Sequence, residues 1–141
     1  HEPVMAMLSY SNFGSDKQGS PLKVHEAIDF LHKTYPDMVV DGEMQVNFAL
    51  DKKLRDDMYP FNKLKGQDVN TLIFPNLSSA NSAYKLLDTL GITETIGPIQ
   101  MGLNKPIHFT DVESSTRDIV NLTTVAVVDA IVQEQIEKEN R

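Results

Sequence analysis

The chain has 141 residues, 40% hydrophobic and 23% charged, enough for one domain with a core of its own. A formal net charge of -7 argues against nonspecific nucleic-acid binding, which needs a basic surface, yet leaves room for an anion held by a local cluster of donors. The absence of cysteine excludes disulfides, thiol catalysis and Cys-based zinc sites, and fits a cytoplasmic protein.

Taken in chain order, no apolar run approaches the roughly 20 residues that span a bilayer, and no signal peptide is visible. No membrane partner is therefore expected. The chain opens almost directly on the apolar run Val4-Met5-Ala6-Met7-Leu8. Such a run predicts a strand buried on both faces, as in a parallel sheet, and the abrupt start suggests a piece of a longer protein. Residues 9–20 form a polar loop at that strand's carboxyl end, where open α/β sheets place ligands. Ser20-Pro21 predicts a helix entry, with Ser20 as N-cap, and apolar spacing carries the helix to Tyr35, before Pro36. His25 and His32 share one of its faces and read as surface or interface groups rather than metal ligands.

Met38-Val39-Val40 predicts the second strand, running into Asp41-Gly42-Glu43. Two acids around a glycine suit a ribose, a metal or a proton transfer. They equally suit capping of a following helix over residues 44–50. Residues 51–64 read as a helix fragment and surface loop. Residues 69–74 predict a third strand, and a helix over 79–90 follows. Ser78 or Ser79 is expected to cap it, Leu86, Leu87 and Leu90 to face inward, and Gly91 to stop it. Residues 93–101 predict a further strand. The β-α-β-α-β order means α/β, a three-layer parallel sheet flanked by helices. A last helix, from about Ser114 toward Glu137, is apolar on much of its circumference and is expected to be buried on several sides.

The stretch from Ile96 to Asn121 draws attention as a possible anion site. Gly97 and Gly102 permit close backbone approach, Lys105 brings charge, and Ser114, Ser115 and Thr116 stand at a helix start. No Gly-x-Ser-x-Gly elbow, Gly-x-Gly-x-x-Gly or Walker A sequence occurs, and the histidines (His1, His25, His32, His108) support no triad.

Seven runs occur in order: residues 7–15, Asp41-Gly42-Glu43-Met44-Gln45, Phe74-Pro75-Asn76-Leu77, Ala80-Asn81 with Tyr84-Lys85, Ile96-Gly97-Pro98-Ile99, Gly102-Leu103 with Lys105-Pro106, and Asp118-Ile119-Val120-Asn121. Together they resemble the C-terminal half of the phosphate acetyl/butyryltransferase family over nearly the whole chain. The resemblance implies two α/β lobes around a cleft for coenzyme A and acetyl phosphate. Residues 1–102 would be part of the second lobe. Residues 103–141 would be a crossover and a long C-terminal helix returning to the first lobe, whose sequence this chain lacks. Dimerisation or higher homo-oligomerisation is also implied.

The chain departs from the family pattern at one place. Active transferases of the family usually carry Leu-Ser-Arg-Gly-Cys-Ser before the last helix, and its Ser-Arg pair binds the phosphoryl or acyl group. Here Asp111 takes the serine position and Val112 the arginine position, beside Glu113. An arginine fork makes a charge-assisted, bidentate phosphate contact, so the change removes attraction and adds repulsion. The combination resembles the transferase-like C-terminal domain of bacterial NADP-dependent malic enzymes of the hybrid type. That implies a parent that oxidatively decarboxylates malate to pyruvate with NADP and a divalent metal (Mg or Mn), with those residues outside this chain, and with acetyl-CoA as effector. The expected cleft residues are Ser11, Asn12, Gly14, Asn76, Asn81, Lys85, Gly97 and Lys105, with Arg117 and Asp118 fixing the helix start. No catalytic residue and no metal ligand is expected in this piece. The alternatives are a working phosphate acetyltransferase, making acetyl-CoA from acetyl phosphate and CoA, and a pure oligomerisation module.

Overall fold

The short apolar run and its two extended neighbours assemble into one parallel sheet. The structure is a computed structural model and describes residues 2–139; His1 and the end of the polar tail, Asn140 and Arg141, lie outside the described residues. In chain order the elements are β1 (Met5–Leu8), α1 (Gly19–Thr34), β2 (Val40–Met44), α2 (Val46–Leu50), α3 (Lys52–Met58), β3 (Thr71–Ile73), α4 (Leu77–Leu90) and α5 (Thr116–Glu139). The sheet order is β2-β1-β3, with both pairings parallel. Parallel neighbours need crossovers, and the helices between them supply these. The fold is therefore α/β, a parallel three-stranded sheet flanked by helices, followed by a long C-terminal helix.

The chain divides into two compact units, His1–Leu86 and Leu87–Arg141. The first holds the core: Ala6, Leu8, Met44, Ala49 and Leu64 are buried, with Phe13, Phe48, Leu72 and Phe74 packed against them. Val24 and Ile28 of α1 are also buried. In the second, Leu122 is the buried apolar residue among those described.

Several expectations are corrected. The second strand begins at Val40 and runs through the Asp-Gly-Glu triplet to Met44, all five residues buried. The two acids are thus inside the sheet, and neither caps a helix. Asp41 Oδ2 accepts from the backbone N–H of Lys63 at 2.6 Å. Gly42 makes this close packing possible: its φ is 147°, and an added Cβ would lie 2.5 Å from the Met7 carbonyl oxygen.

Helix α1 starts with Gln18 as N-cap and no side-chain cap, two residues earlier than Ser20 suggested. His25 and His32 turn toward β2, His32 Nε2 lying 2.8 Å from the Val40 carbonyl oxygen. The run 51–64 is the helix α3 and a largely exposed loop, but Arg55, Asn62 and Leu64 within it turn inward. Asp51 caps α3 by accepting from Leu54 N–H at 2.8 Å, and Arg55 is fully buried. Its guanidinium donates to the carbonyls of Ala49, Leu64 and Gln67, which satisfies three backbone acceptors, and its Nε lies 3.4 Å from the Asp56 carboxylate.

The cap of α4 is Asn76, whose Oδ1 accepts from Ser79 N–H at 2.9 Å, and not a serine. Leu86, Leu87 and Leu90 are exposed; α4 has no buried residue. Residues 93–101 form no strand. Gly97 there has φ 138° and Pro98 follows it through a cis bond; proline lacks the N–H that a ladder needs.

Helix α5 is about 36 Å long, and Ile119, Val120, Val127, Val128, Ile131, Val132 and Ile136 on it are exposed. The expected burial on several sides is absent, because the short second unit offers too little surface to cover a helix of that length. By length and composition α5 is also long and apolar enough to cross a membrane, contrary to the expectation that no run approaches a span. Polar groups interrupt it: the hydroxyls of Thr123 and Thr124 donate to the carbonyls of Ile119 and Val120, and Asp129 lies 3.3 Å from His108 Nε2.

Candidate functional site

The expected cleft residues fall into both units. In the first unit, the polar loop over residues 9–16 leaves the carboxyl end of β1 and folds back on β2. Ser9 N–H donates to the Met44 carbonyl at 2.9 Å, and Phe13 N–H to the Glu43 carbonyl at 2.7 Å. Ser11 is buried; its hydroxyl donates to Glu43 Oε1 at 3.0 Å and accepts from Asp16 N–H at 3.0 Å. Asn12 Oδ1 accepts from Gln45 N–H at 2.8 Å. Gly14 N–H donates to Glu43 Oε1 at 2.7 Å. The structure therefore brings Ser11, Asn12 and Gly14 together, around the buried carboxylate of Glu43.

Asn76 is engaged in the α4 cap. Asn81 and Lys85 are exposed on α4, and the Lys85 ammonium lies 5.6 Å from the Tyr84 ring centroid, within cation–π range.

In the second unit, Ser115 and Asp118 close a capping box at the start of α5. Asp118 Oδ2 accepts from Ser115 N–H at 2.8 Å and from its hydroxyl at 2.6 Å, while Asp118 N–H donates to Ser115 Oγ at 3.2 Å. These bonds from Ser115, the hydroxyl first, hold the Asp118 carboxyl below the usual carboxylate range. Arg117 pairs with Glu94, whose hydrogen bond and charge raise its pKa. Ahead of the box, Asp111 N–H donates to Ser114 Oγ at 2.9 Å, and the Val112 side chain is fully exposed.

The same unit contains a cavity of about 380 Å³, walled by residues 99–103, Lys105, His108 and the α5 face from Thr124 to Gln133. His108 is buried, and its Nδ1 has no hydrogen-bond partner. Lys105 lies 3.3 Å from Glu137. Gly97 is half-buried and outside this lining.

Sequence reasoning singled out Glu43 without its buried setting, and missed Arg55 and the His108–Asp129 pair. Glu43 and Arg55 stand in charged or mixed runs, where periodicity marks no inward position. His108 and Asp129 are too far apart in sequence for spacing to join them. Among the described residues, no group of three or more His, Cys, Asp or Glu side chains is placed to hold a metal ion.

A parallel sheet with a polar loop at the carboxyl end of its central strand, followed by a glycine-broken segment and a capped long helix, defines an α/β protein of the class that seats ligands at strand ends. Residues 1–127 match the family model "Phosphate acetyl/butaryl transferase", and the chain belongs to that family. Among its relatives are the NADP-dependent malic enzyme of Salmonella typhimurium, 40% identical over 132 residues, and the phosphate acetyltransferase of Clostridium acetobutylicum, 38% identical over 129 residues. Each comparison covers 92% of this chain, which spans 17% of the first relative and 38% of the second. The crystal structure of a phosphotransacetylase from Streptococcus pyogenes superposes with a TM-score of 0.83 at 38% identity, covering 93% of this chain and 40% of that one.

Proposed function

We propose that the chain is part of a phosphotransacetylase-like regulatory domain of a malic enzyme, binding acetyl-CoA or a related acyl-CoA without transferring the acyl group. The observation that carries this reading is the run Asp111-Val112-Glu113 where active transferases of the family have Ser-Arg. A phosphoryl group at the start of α5 would meet the carboxylates of Asp111, Glu113 and Asp118. Arg117, the neighbouring cation, is held by Glu94. Repulsion replaces the bidentate clamp. The identity to malic enzymes supports the parentage.

In this reading Ser11, Asn12, Gly14, Asn76, Asn81, Lys85, Gly97 and Lys105 face the ligand. Arg117 and Asp118 keep the helix start in place. Acetyl-CoA lowers malic enzyme activity through a coupling free energy between distinct sites. NADP and the divalent metal serve the parent reaction, in the part of the relatives that this chain does not span. The parent is a cytoplasmic homo-oligomer that engages neither nucleic acid nor a membrane, and α5 is a packing helix, since the family match continues through residue 127, half-way along it.

The test uses the full-length protein. Acetyl-CoA is expected to bind in calorimetric titration and to inhibit malate oxidation, with no acetyl-CoA formed from acetyl phosphate and CoA. The phosphate acetyltransferase reading is favoured by the 38% identity to the Clostridium acetobutylicum enzyme, and robust turnover would establish it against ours. Absence of binding would leave an oligomerisation module.

A further inference from the structure

The β1–β2 register pairs Met7 with Gly42 and Leu8 with Met44, leaving Glu43 without a partner residue. Such a bulge re-aims the side chain of the extra residue, and here it is aimed at the loop over residues 9–16. The Glu43 carboxylate is fully buried. Oε1 accepts from Ser11 Oγ at 3.0 Å and from Gly14 N–H at 2.7 Å. Oε2 has no hydrogen bond, with His25 Nδ1 at 3.3 Å, out of hydrogen-bond alignment. The two donors to Oε1 bracket Phe13, whose φ is 46°, and Gly14 follows at 81°. A left-handed non-glycine residue persists only where its surroundings over-determine it. The carboxylate supplies that constraint, and the Gln45 amide, donating to the Tyr10 carbonyl at 2.6 Å, adds to it.

We infer that Glu43 is a positioning residue for ligand binding: it acts through Ser11 and Gly14, holding the loop at the end of β1 in its binding conformation. This rests on the acyl-CoA reading above. A buried carboxylate with two donors makes charge-assisted bonds, stronger than neutral ones. Its loss frees both donors and the strained residue between them.

The experiment compares full-length wild type, Glu43→Ala, Glu43→Gln, Ser11→Ala and Val24→Ala by hydrogen exchange over residues 9–16, by acetyl-CoA titration and by thermal melting. Glu43→Ala is expected to speed Gly14 amide exchange and to weaken acetyl-CoA at least ~10-fold through the lost hydrogen bonds. Glu43→Gln keeps an acceptor oxygen and should stay within about threefold of wild type on both readouts. Val24→Ala, in the buried face of α1, should lower Tm and leave the affinity unchanged. The inference is overturned if Glu43→Ala binds like wild type, or if Val24→Ala weakens binding as much at equal loss of Tm. Should Glu43→Ala not fold, Ser11→Ala decides, with weakened binding at near-wild-type Tm expected and unchanged binding overturning the inference. Wild type that binds no acetyl-CoA would overturn the acyl-CoA reading itself, an outcome separate from these.

Discussion

In His1–Leu86 the buried residues include charged ones: Glu43 and Arg55 lie with Met44, Ala49 and Leu64 out of reach of solvent. In Leu87–Arg141 the pattern is reversed, with Val127, Val128, Ile131 and Val132 exposed along α5 and salt bridges such as Arg117–Glu94 on the surface. The first unit gains its specificity from buried polar groups held by hydrogen bonds inside, such as those of Glu43 Oε1 and the Arg55 guanidinium. The second has, besides the His108–Asp129 pair, ion pairs between solvent-exposed groups, worth little individually, and an apolar helix face that it does not cover. A fold element can therefore be well formed locally while its stabilising burial is missing from the unit that contains it.

The sharpest way to break this comparison is at the sheet. Gly42→Ala forces a Cβ to 2.5 Å from the Met7 carbonyl at φ 147° and should destabilise the first unit by about 3 kcal/mol or more, read as a lost or strongly shifted urea transition. Arg55→Met should cost about 3 kcal/mol, because the buried Ala49 and Leu64 carbonyls and the partly buried Gln67 carbonyl lose their donor; a shift below about 1 kcal/mol would mean that water replaces the guanidinium.

In the second unit the effects shrink. Ser115→Ala removes one side of the capping box and should cost about 1 kcal/mol, detected as fraying of the first turn of α5 by hydrogen exchange. Acidification probes both units. Asp56 is held below the usual carboxylate range chiefly by the Gly66 N–H bond, and Asp118 by Ser115. A depressed folded pKa contributes stability that is present above the unfolded value near ~3.9 and lost as pH falls through the folded value. Melting temperature should therefore fall below about pH 4, and Asp56→Asn and Asp118→Asn should each flatten that fall. The smallest effect is expected for Val127→Ser in the 141-residue chain, within ~0.5 kcal/mol, as for an ordinary surface change. A loss above about 1.5 kcal/mol would show that this face is covered in solution and would end the contrast between the units.

The amino-acid sequence by itself determined the α/β class, the parallel order and the family. Val4-Met5-Ala6-Met7-Leu8, the helix periodicity over α1 and the ordered family runs are local patterns that any continuation of the chain must respect. It also determined the acidic run Asp111-Val112-Glu113 ahead of the last helix, which is a matter of residue identity. Only the tertiary structure decided that Asp41 and Glu43 enter the sheet, that Arg55 goes inside, that Asn76 caps α4, and that residues 93–101 fail to pair. The burial of the charged groups depends on partners elsewhere in the chain: Lys63 for Asp41, Ser11 and Gly14 for Glu43, the Leu64 and Gln67 carbonyls for Arg55. Burial of a polar group is decided by whether its hydrogen bonds can be satisfied where it lands, and that is a property of the assembled fold that no local spacing records.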